Sequence, residues 1–252
     1  TNGYFENEDA QLSGDLIGNF KTEGEVVDFY KECTKAAFKV QNVSKKKSTR
    51  NPSPPFITSS LQQECNNKWK LSPKQTMMYA QKLYEAGLIT YMRTDSLTLS
   101  DDAISMISDY INETHGEQYL NVKKYKNKTE NTQEAHEAIR PCVINIVTID
   151  EDICYDENEK RIYKLIWKRT VASQMSHCKL DIITTLIEND INSYIFICKG
   201  EKITFDGFTR VYREYTDNTE NELEHVNSKN VIMLKTNEIV TKQSIITNFK
   251  YI

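Results

Sequence analysis

The chain has 252 residues with 38% hydrophobic and 27% charged side chains, a composition that suits a soluble globular chain of one large or two moderate domains. No apolar run is long enough to cross a bilayer, no cationic-then-apolar start marks a signal peptide, and six scattered cysteines without a C-x-x-C pair exclude a zinc ribbon or disulfide scaffold. The net charge of −4 gives no overall basic footprint for a nucleic acid, and the first residue, Thr1 rather than Met, fits an excised piece of a longer chain.

In chain order, a polar opening leads into Glu25 to Val40, where Val26, Phe29, Tyr30 and Cys33 recur at helical spacing. Ser44 to Pro55, SKKKSTRNPSPP, combines prolines with a charge run and predicts an extended connector. Positive charge is local: Lys45, Lys46, Lys47 and Arg50, then Lys68, Lys70 and Lys74, a pattern more typical of a solvated linker than of a binding patch. Ser59 to Leu71 reads as a helix with Ser59 and Gln62 in capping-box spacing.

A stronger start follows at Ser72-Pro73-Lys74-Gln75, with a cap, proline at the first helical position and glutamine three after the cap. Met77, Ala80, Leu83 and Tyr84 give that helix one apolar face, read as core packing, and Gly87 ends it. Ser100, two aspartates and then Ile104, Ile107 and Ile111 begin another helix. A short helix is predicted over Asn131 to Arg140, stopped by Pro141, and a longer one over Asn158 to Met175 with Ile162, Leu165, Ile166, Ala172 and Met175 inward. From Lys179 onward, LDIITTLI, SYIFIC, KITFDGF, NVIMLK and EIVTKQSIITNF alternate as strands do. The fold class is therefore α+β. A mainly helical domain, 50–176, is inserted in a discontinuous β-rich domain made of 1–49 and 177–252, provided that the closing strands pair with the opening segment.

Two segments carry chemistry. Gly87 to Ser96, GLITYMRTDS, reads as a short strand, so Tyr91, Arg93 and Asp95 point one way and Thr90, Met92 and Thr94 the other. A phenol, a guanidinium and a carboxylate together suit phosphate handling, because Arg can grip a phosphate with two parallel hydrogen bonds. The same guanidinium could favour the phenolate of a tyrosine, whose free pKa of about 10 makes it a poor nucleophile at neutral pH. Spacing alone fits equally well an ordinary half-packed tyrosine beside a surface ion pair. The second segment, EAHEAIRP from Glu134 to Pro141, sets His136 and Arg140 four apart on one helical face, with Glu137 beside them. No second His or Cys stands at metal-ligand spacing.

Together, GLITYMRTDS and QEAHEAIRP resemble the two active-site signatures of type IA DNA topoisomerases. The likeness extends to PPFITSSLQQEC, SPKQTMMYAQKLYEAG and IYKLIWKRTVASQM, and ITFDGFTRVY resembles a strand pair of the family. It is strongest over residues 54–178, and Met92 and HEAIRP look more like the bacterial topoisomerase I branch than the topoisomerase III branch.

The resemblance implies that Tyr91 attacks a phosphodiester of single-stranded DNA and holds the 5′ phosphate, allowing strand passage and relaxation without ATP. It implies that Arg93 is the cation at the scissile phosphate and that His136 is a second phosphate or DNA contact. Geometry adds Arg140 and Asp95 as further DNA contacts. No G-x-x-x-x-G-K-[ST] loop occurs, in keeping with religation that needs no nucleotide. The family fold is a ring, in which the helical middle would be the nucleophile domain and the β-rich part the arch that lets it swing. Its metal-binding TOPRIM domain, with a D-x-D acidic cluster, finds no counterpart in the chain, so the resemblance places Mg2+ in that domain and predicts no metal ligand here and no relaxation by this chain alone. The partners implied are DNA and the remaining domains of the parent chain, with no membrane, inside the cell wherever its DNA lies. A non-catalytic module that binds single strands by stacking, or a structural module derived from the enzyme, remains the alternative.

Overall fold

The computed structural model describes residues 1–6, 11–125, 136–149, 156–192, 194–213 and 234–247. The described chain divides into two compact units, one of residues 1–48, 179–204 and 220–252, the other of 49–178 and 205–219.

The first unit is built on a closed barrel. Its strands are β1 (Asn2–Glu6), β2 (Gln11–Leu16), β3 (Phe38–Arg50), β4 (Cys178–Asn189), β5 (Ile195–Phe205) and β6 (Ile239–Ile246), in the order β1-β2-β5-β4-β3-β6. The opening segment and the closing strands do pair. β1 lies antiparallel to both β2 and β6, with Gly3 opposite Gly14 and Ile245, so closure removes the open sheet edge. Helix α1 (Glu23–Lys35) begins with a capping box in which the Glu25 amide donates to the Thr22 hydroxyl. Its Phe29 and Cys33 join Phe5, Phe38, Val40, Ile187, Phe196 and Cys198 in one apolar cluster. Phe5 and Phe196 meet with ring centroids 5.0 Å apart, and each fully buried aromatic contributes about 1.5–3 kcal/mol.

The connector predicted over Ser44 to Pro55 is corrected here: Ser44 to Arg50 is the second half of β3, and only the proline stretch after it is irregular. The strand is held to β4 by side chains, with Lys45 Nζ 2.8 Å from Asp181 and Lys39 Nζ 3.2 Å from Glu188. IFIC and KITF merge into one strand, β5, while Gly207–Arg210 forms a 3-10 turn and not the second strand of a pair. The NVIMLK strand falls largely outside the described residues.

The second unit holds α2 (Thr58–Trp69), α3 (Pro73–Glu85), α4 (Asp101–His115) and α5 (Glu157–Ser173). Helix α2 starts at Thr58, with the Ser60 hydroxyl taking the Ile57 amide hydrogen in place of the Ser59–Gln62 box. The other helix starts fall where their caps predict: the Gln75 amide donates to the Ser72 hydroxyl, and the Ala103 amide to Ser100. Helix α5 is buried on most of its circumference, with Ile162, Ile166 and Val171 fully enclosed. Two of its polar side chains bond to main-chain carbonyls of other segments: Trp167 Nε1 donates to the Ile144 carbonyl at 2.7 Å and Arg169 Nε to that of Pro54 at 2.7 Å. The Arg169 guanidinium lies over the rings of Phe56 and Tyr212.

Cys33, Cys65, Cys142, Cys178 and Cys198 are free thiols. Burial pushes Cys65 and Cys198 up to about 12, which keeps them protonated and unreactive at neutral pH.

Candidate active site around Tyr91

Helix α3 delivers the candidate nucleophile. Its end is a Schellman turn: the Gly87 amide donates to the Tyr84 carbonyl at 2.8 Å and the Leu88 amide to that of Leu83 at 3.0 Å, with Gly87 at φ +71°. The chain then runs beside the second signature. The Cys142 amide donates to the Leu88 carbonyl and the Thr90 amide to that of Arg140, both at 2.9 Å, framing an antiparallel bridge between Ile89 and Pro141.

The signature EAHEAIRP is therefore not a helix where it is described. Residues 131–135 of the expected helix lie outside the described residues, and His136 to Arg140 hold no helix, only a bridge from Ile139 to Phe56. Partners remote in sequence outcompete helical bonding: the Ala138 amide donates to the Thr98 carbonyl at 2.8 Å and the Ile139 amide to that of Phe56 at 2.9 Å.

Tyr91 follows immediately. GLITYMRTDS forms only the isolated bridge at Ile89, yet its side chains alternate as a strand's would: Tyr91, Arg93 and Asp95 are exposed, while Met92, Thr94 and Ser96 are buried. The buried row is anchored by Thr58 at the start of α2. Its amide donates to the Thr94 carbonyl at 2.9 Å, and its hydroxyl accepts the Thr94 amide at 2.9 Å and lies 2.8 Å from the Met92 carbonyl oxygen. Thr90 ties the two signatures together through Ala138 and Arg140.

On the exposed side, the Tyr91 and His136 rings meet nearly perpendicular, 87°, with centroids 6.2 Å apart. Tyr84, at the end of α3, also meets the Tyr91 ring, with centroids 5.3 Å apart and planes at 68°. Tyr91 is 42% exposed. Arg93 and Asp95, on the same exposed row as Tyr91, have no hydrogen bond or ion pair to another described residue. Arg140 is turned inward instead, with Nη2 2.7 Å from Glu137 Oε2 and Nη1 donating to the Pro141 carbonyl at 3.0 Å. Burial works to raise the Glu137 carboxyl, but hydrogen bonds from Arg140 and from Ser100, whose amide lies 2.7 Å away, hold it below the usual glutamate value.

Spacing alone did not single out Thr58, Thr90 or Tyr84. Thr90 lies within the first signature but on its buried side. Tyr84 was assigned to the apolar face of α3; that face is Thr76, Tyr79, Ala80 and Leu83, and Tyr84 stands outside it, 40% exposed. Among the described residues, no three His, Cys, Asp or Glu side chains gather in a group that could hold a metal ion. Both oxygens of Glu137 are engaged, one by the Ser100 amide and the other by Arg140. Among the described residues, no helix is long and apolar enough to cross a membrane.

The six-stranded barrel and the helical unit that presents Tyr91 together have a counterpart in a solved topoisomerase. The family model described as DNA topoisomerase matches residues 4–247, and the chain belongs to that family, in its bacterial type IA branch. It is 42% identical to DNA topoisomerase 1 of Rickettsia bellii over 93% of this chain and 30% of that one. It is 42% identical to the prokaryotic-type DNA topoisomerase 1 of Acanthamoeba polyphaga mimivirus, over 85% of this chain and 26% of that one. The solved structure of full-length topoisomerase I from Thermotoga maritima matches with a TM-score of 0.72 at 25% identity, over 100% of this chain and 42% of that chain. The chain thus spans about 30% of the Rickettsia protein's length and 42% of the Thermotoga chain.

Proposed function

We propose that Tyr91 is the nucleophile of a topoisomerase reaction in which one DNA strand is cut and rejoined through a 5′-phosphotyrosine. The observation that carries this reading is the exposed Tyr91 ring set against His136, on the same exposed row as Arg93, which has no ion pair among the described residues.

The Tyr91 oxygen attacks phosphorus as the bond from phosphorus to the 3′ oxygen breaks. The phenol gives up its proton and the departing 3′ oxygen gains one. Arg93 grips the phosphate through two parallel hydrogen bonds and neutralises charge that develops in the transition state. His136, whose ring meets that of Tyr91, supports the phosphate. Asp95 and Arg140 are assigned weaker roles as DNA contacts, and for Arg140 this requires release from Glu137. The phosphotyrosine keeps the energy of the broken diester, so the freed 3′ hydroxyl reverses the step without ATP.

The substrate is a single-stranded stretch of DNA, and the remaining domains of a longer chain are the partners that complete the cleavage centre and supply magnesium. The protein acts inside the cell, wherever its DNA is. A module that only stacks bases would not need Arg93 two residues from the tyrosine and His136 at its ring, which favours the enzymatic reading.

The test is covalent trapping. A full-length enzyme carrying this segment is expected to form a denaturation-resistant adduct with single-stranded oligonucleotide, and its Tyr91→Phe variant to bind DNA equally well with no adduct. An adduct in the variant rules Tyr91 out. The 252-residue chain alone is expected not to relax supercoiled plasmid, with or without magnesium; robust relaxation would overturn the assignment of metal chemistry to other domains.

A further inference from the structure

We infer that Tyr84 is a positioning residue for Tyr91: its ring, held on the rigid end of α3, fixes the direction in which the Tyr91 phenol presents its oxygen. This rests on Tyr91 being the nucleophile.

The Tyr91 hydroxyl makes no hydrogen bond to another described residue. Its backbone is pinned by the buried Met92 and by Thr58, but those contacts leave the side-chain torsions free. Two ring contacts restrain it, Tyr84 with its centroid at 5.3 Å and His136 at 6.2 Å. Both contacts are edge-to-face in kind, and the nearer one is Tyr84. In-line displacement at phosphorus needs the attacking oxygen within about 3–3.5 Å and aligned with the leaving oxygen, so a freely swinging phenol would spend most of its time misaligned.

Tyr84 is suited to give that restraint because α3 cannot yield easily. The helix starts in the Ser72–Gln75 capping box with Pro73 in its first turn, and it ends in the Schellman turn at Gly87. Its other face is locked onto α5: Lys82 Nζ lies 2.6 Å from the buried Glu159, and Asn158 Nδ2 donates to the Tyr79 hydroxyl at 3.2 Å. Tyr84 is also expendable for folding. It is 40% exposed, lies off the apolar face of its helix, and has Tyr91 as its ring partner.

The experiment is single-turnover cleavage of a single-stranded oligonucleotide by the full-length enzyme carrying Tyr84→Ala, Tyr84→Leu or Tyr84→Phe. Loss of the ring in Ala and Leu is expected to lower the maximal cleavage rate constant about 3–10-fold, with half-saturating oligonucleotide changed less than about twofold. Tyr84→Phe, which restores the ring without the hydroxyl, is expected to recover the rate to within about twofold. Leu keeps the helix and much of the contact area, so it decides the matter if the Ala variant folds poorly. The proposal fails if Ala and Leu cleave at the wild-type rate. It fails if their loss lies wholly in half-saturation, which would make Tyr84 a DNA contact, or if Phe is as slow as Leu. The Tyr91→Phe control separates the two claims: an adduct there removes the nucleophile assignment, whereas no adduct together with wild-type rates in the Tyr84 variants removes this inference alone.

Discussion

The Thr90 hydroxyl accepts the amide hydrogen of Arg140 at 3.0 Å and donates to the carbonyl of Ala138 at 2.7 Å, so one small side chain joins two signatures that lie 48–50 residues apart. The pairing fixes how far His136 stands from Tyr91, because each is one or two residues from a hydrogen-bonded atom.

Thr90→Val keeps the shape of the side chain and removes both bonds. Leaving the Arg140 amide and Ala138 carbonyl short of a partner is expected to cost about 1–3 kcal/mol in urea unfolding of the chain. In the full-length enzyme, cleavage should fall by about tenfold or more as the two rings drift apart. Thr90→Ser should restore most of both. Wild-type stability in the valine variant would mean that the main-chain bridge suffices.

Glu137 gives a prediction in pH. Its folded pKa is depressed below the ordinary 4.5 by Arg140 and Ser100. A depressed carboxylate contributes stability that is fully present above the unfolded value and is lost as pH falls through the folded one. Glu137→Gln should therefore destabilise the chain by about 1–3 kcal/mol at pH 7, since a charged partner of the half-buried Arg140 is removed. The gap to wild type should stay level down to about pH 5 and close below 4.5. A gap that does not change between pH 7 and pH 3.5 would show that the ion pair contributes nothing.

Much of this was legible locally, and the exceptions have one cause. The caps at Ser72 and Ser100 and the stop at Gly87 read correctly because each is satisfied within a few residues. The alternation of Tyr91, Arg93 and Asp95 against Met92 and Thr94 also held, because burial of one row imposes it even where no ladder forms. SKKKSTR was misread because beyond Val40 neither face of β3 is buried, so a real strand there carries no period-2 signal. His136 to Arg140 was misread as helix because a four-residue spacing suits a helix, while the bonds that decide otherwise go to Phe56, Thr90 and Thr98, far along the chain. Tyr84 was placed in the core because aromatic character says nothing about which side of a helix edge a ring falls on.

Arg93→Lys separates charge from geometry. The guanidinium is exposed and unpaired among the described residues, so either substitution should leave stability within about 0.5 kcal/mol. Lysine keeps the charge but cannot make two parallel bonds to one phosphate. Cleavage by the full-length enzyme is expected to drop about tenfold or more with lysine, and further with alanine. Equal cleavage by wild type and lysine would reduce Arg93 to a source of positive charge.

Two glycines with left-handed backbones should respond unequally to alanine. Gly87 sits at φ +71°, and a Cβ there would meet no atom within 4 Å, so only backbone strain is added. That costs about 1–2 kcal/mol. Gly207 sits at φ +51°, and a Cβ there would come 2.5 Å from the carbonyl oxygens of both Ser176 and His177. Those oxygens are backbone and cannot swing away, and the Ser176 carbonyl also accepts the Phe208 amide hydrogen at 2.9 Å. Gly207→Ala must therefore carry the same strain and also push apart a hydrogen-bonded contact, adding about 1–3 kcal/mol. Thermal unfolding of the two variants side by side is the measurement. Gly207→Ala is expected to lose at least about twice as much stability as Gly87→Ala, and equal losses would show that the backbone around Ser176 relaxes freely.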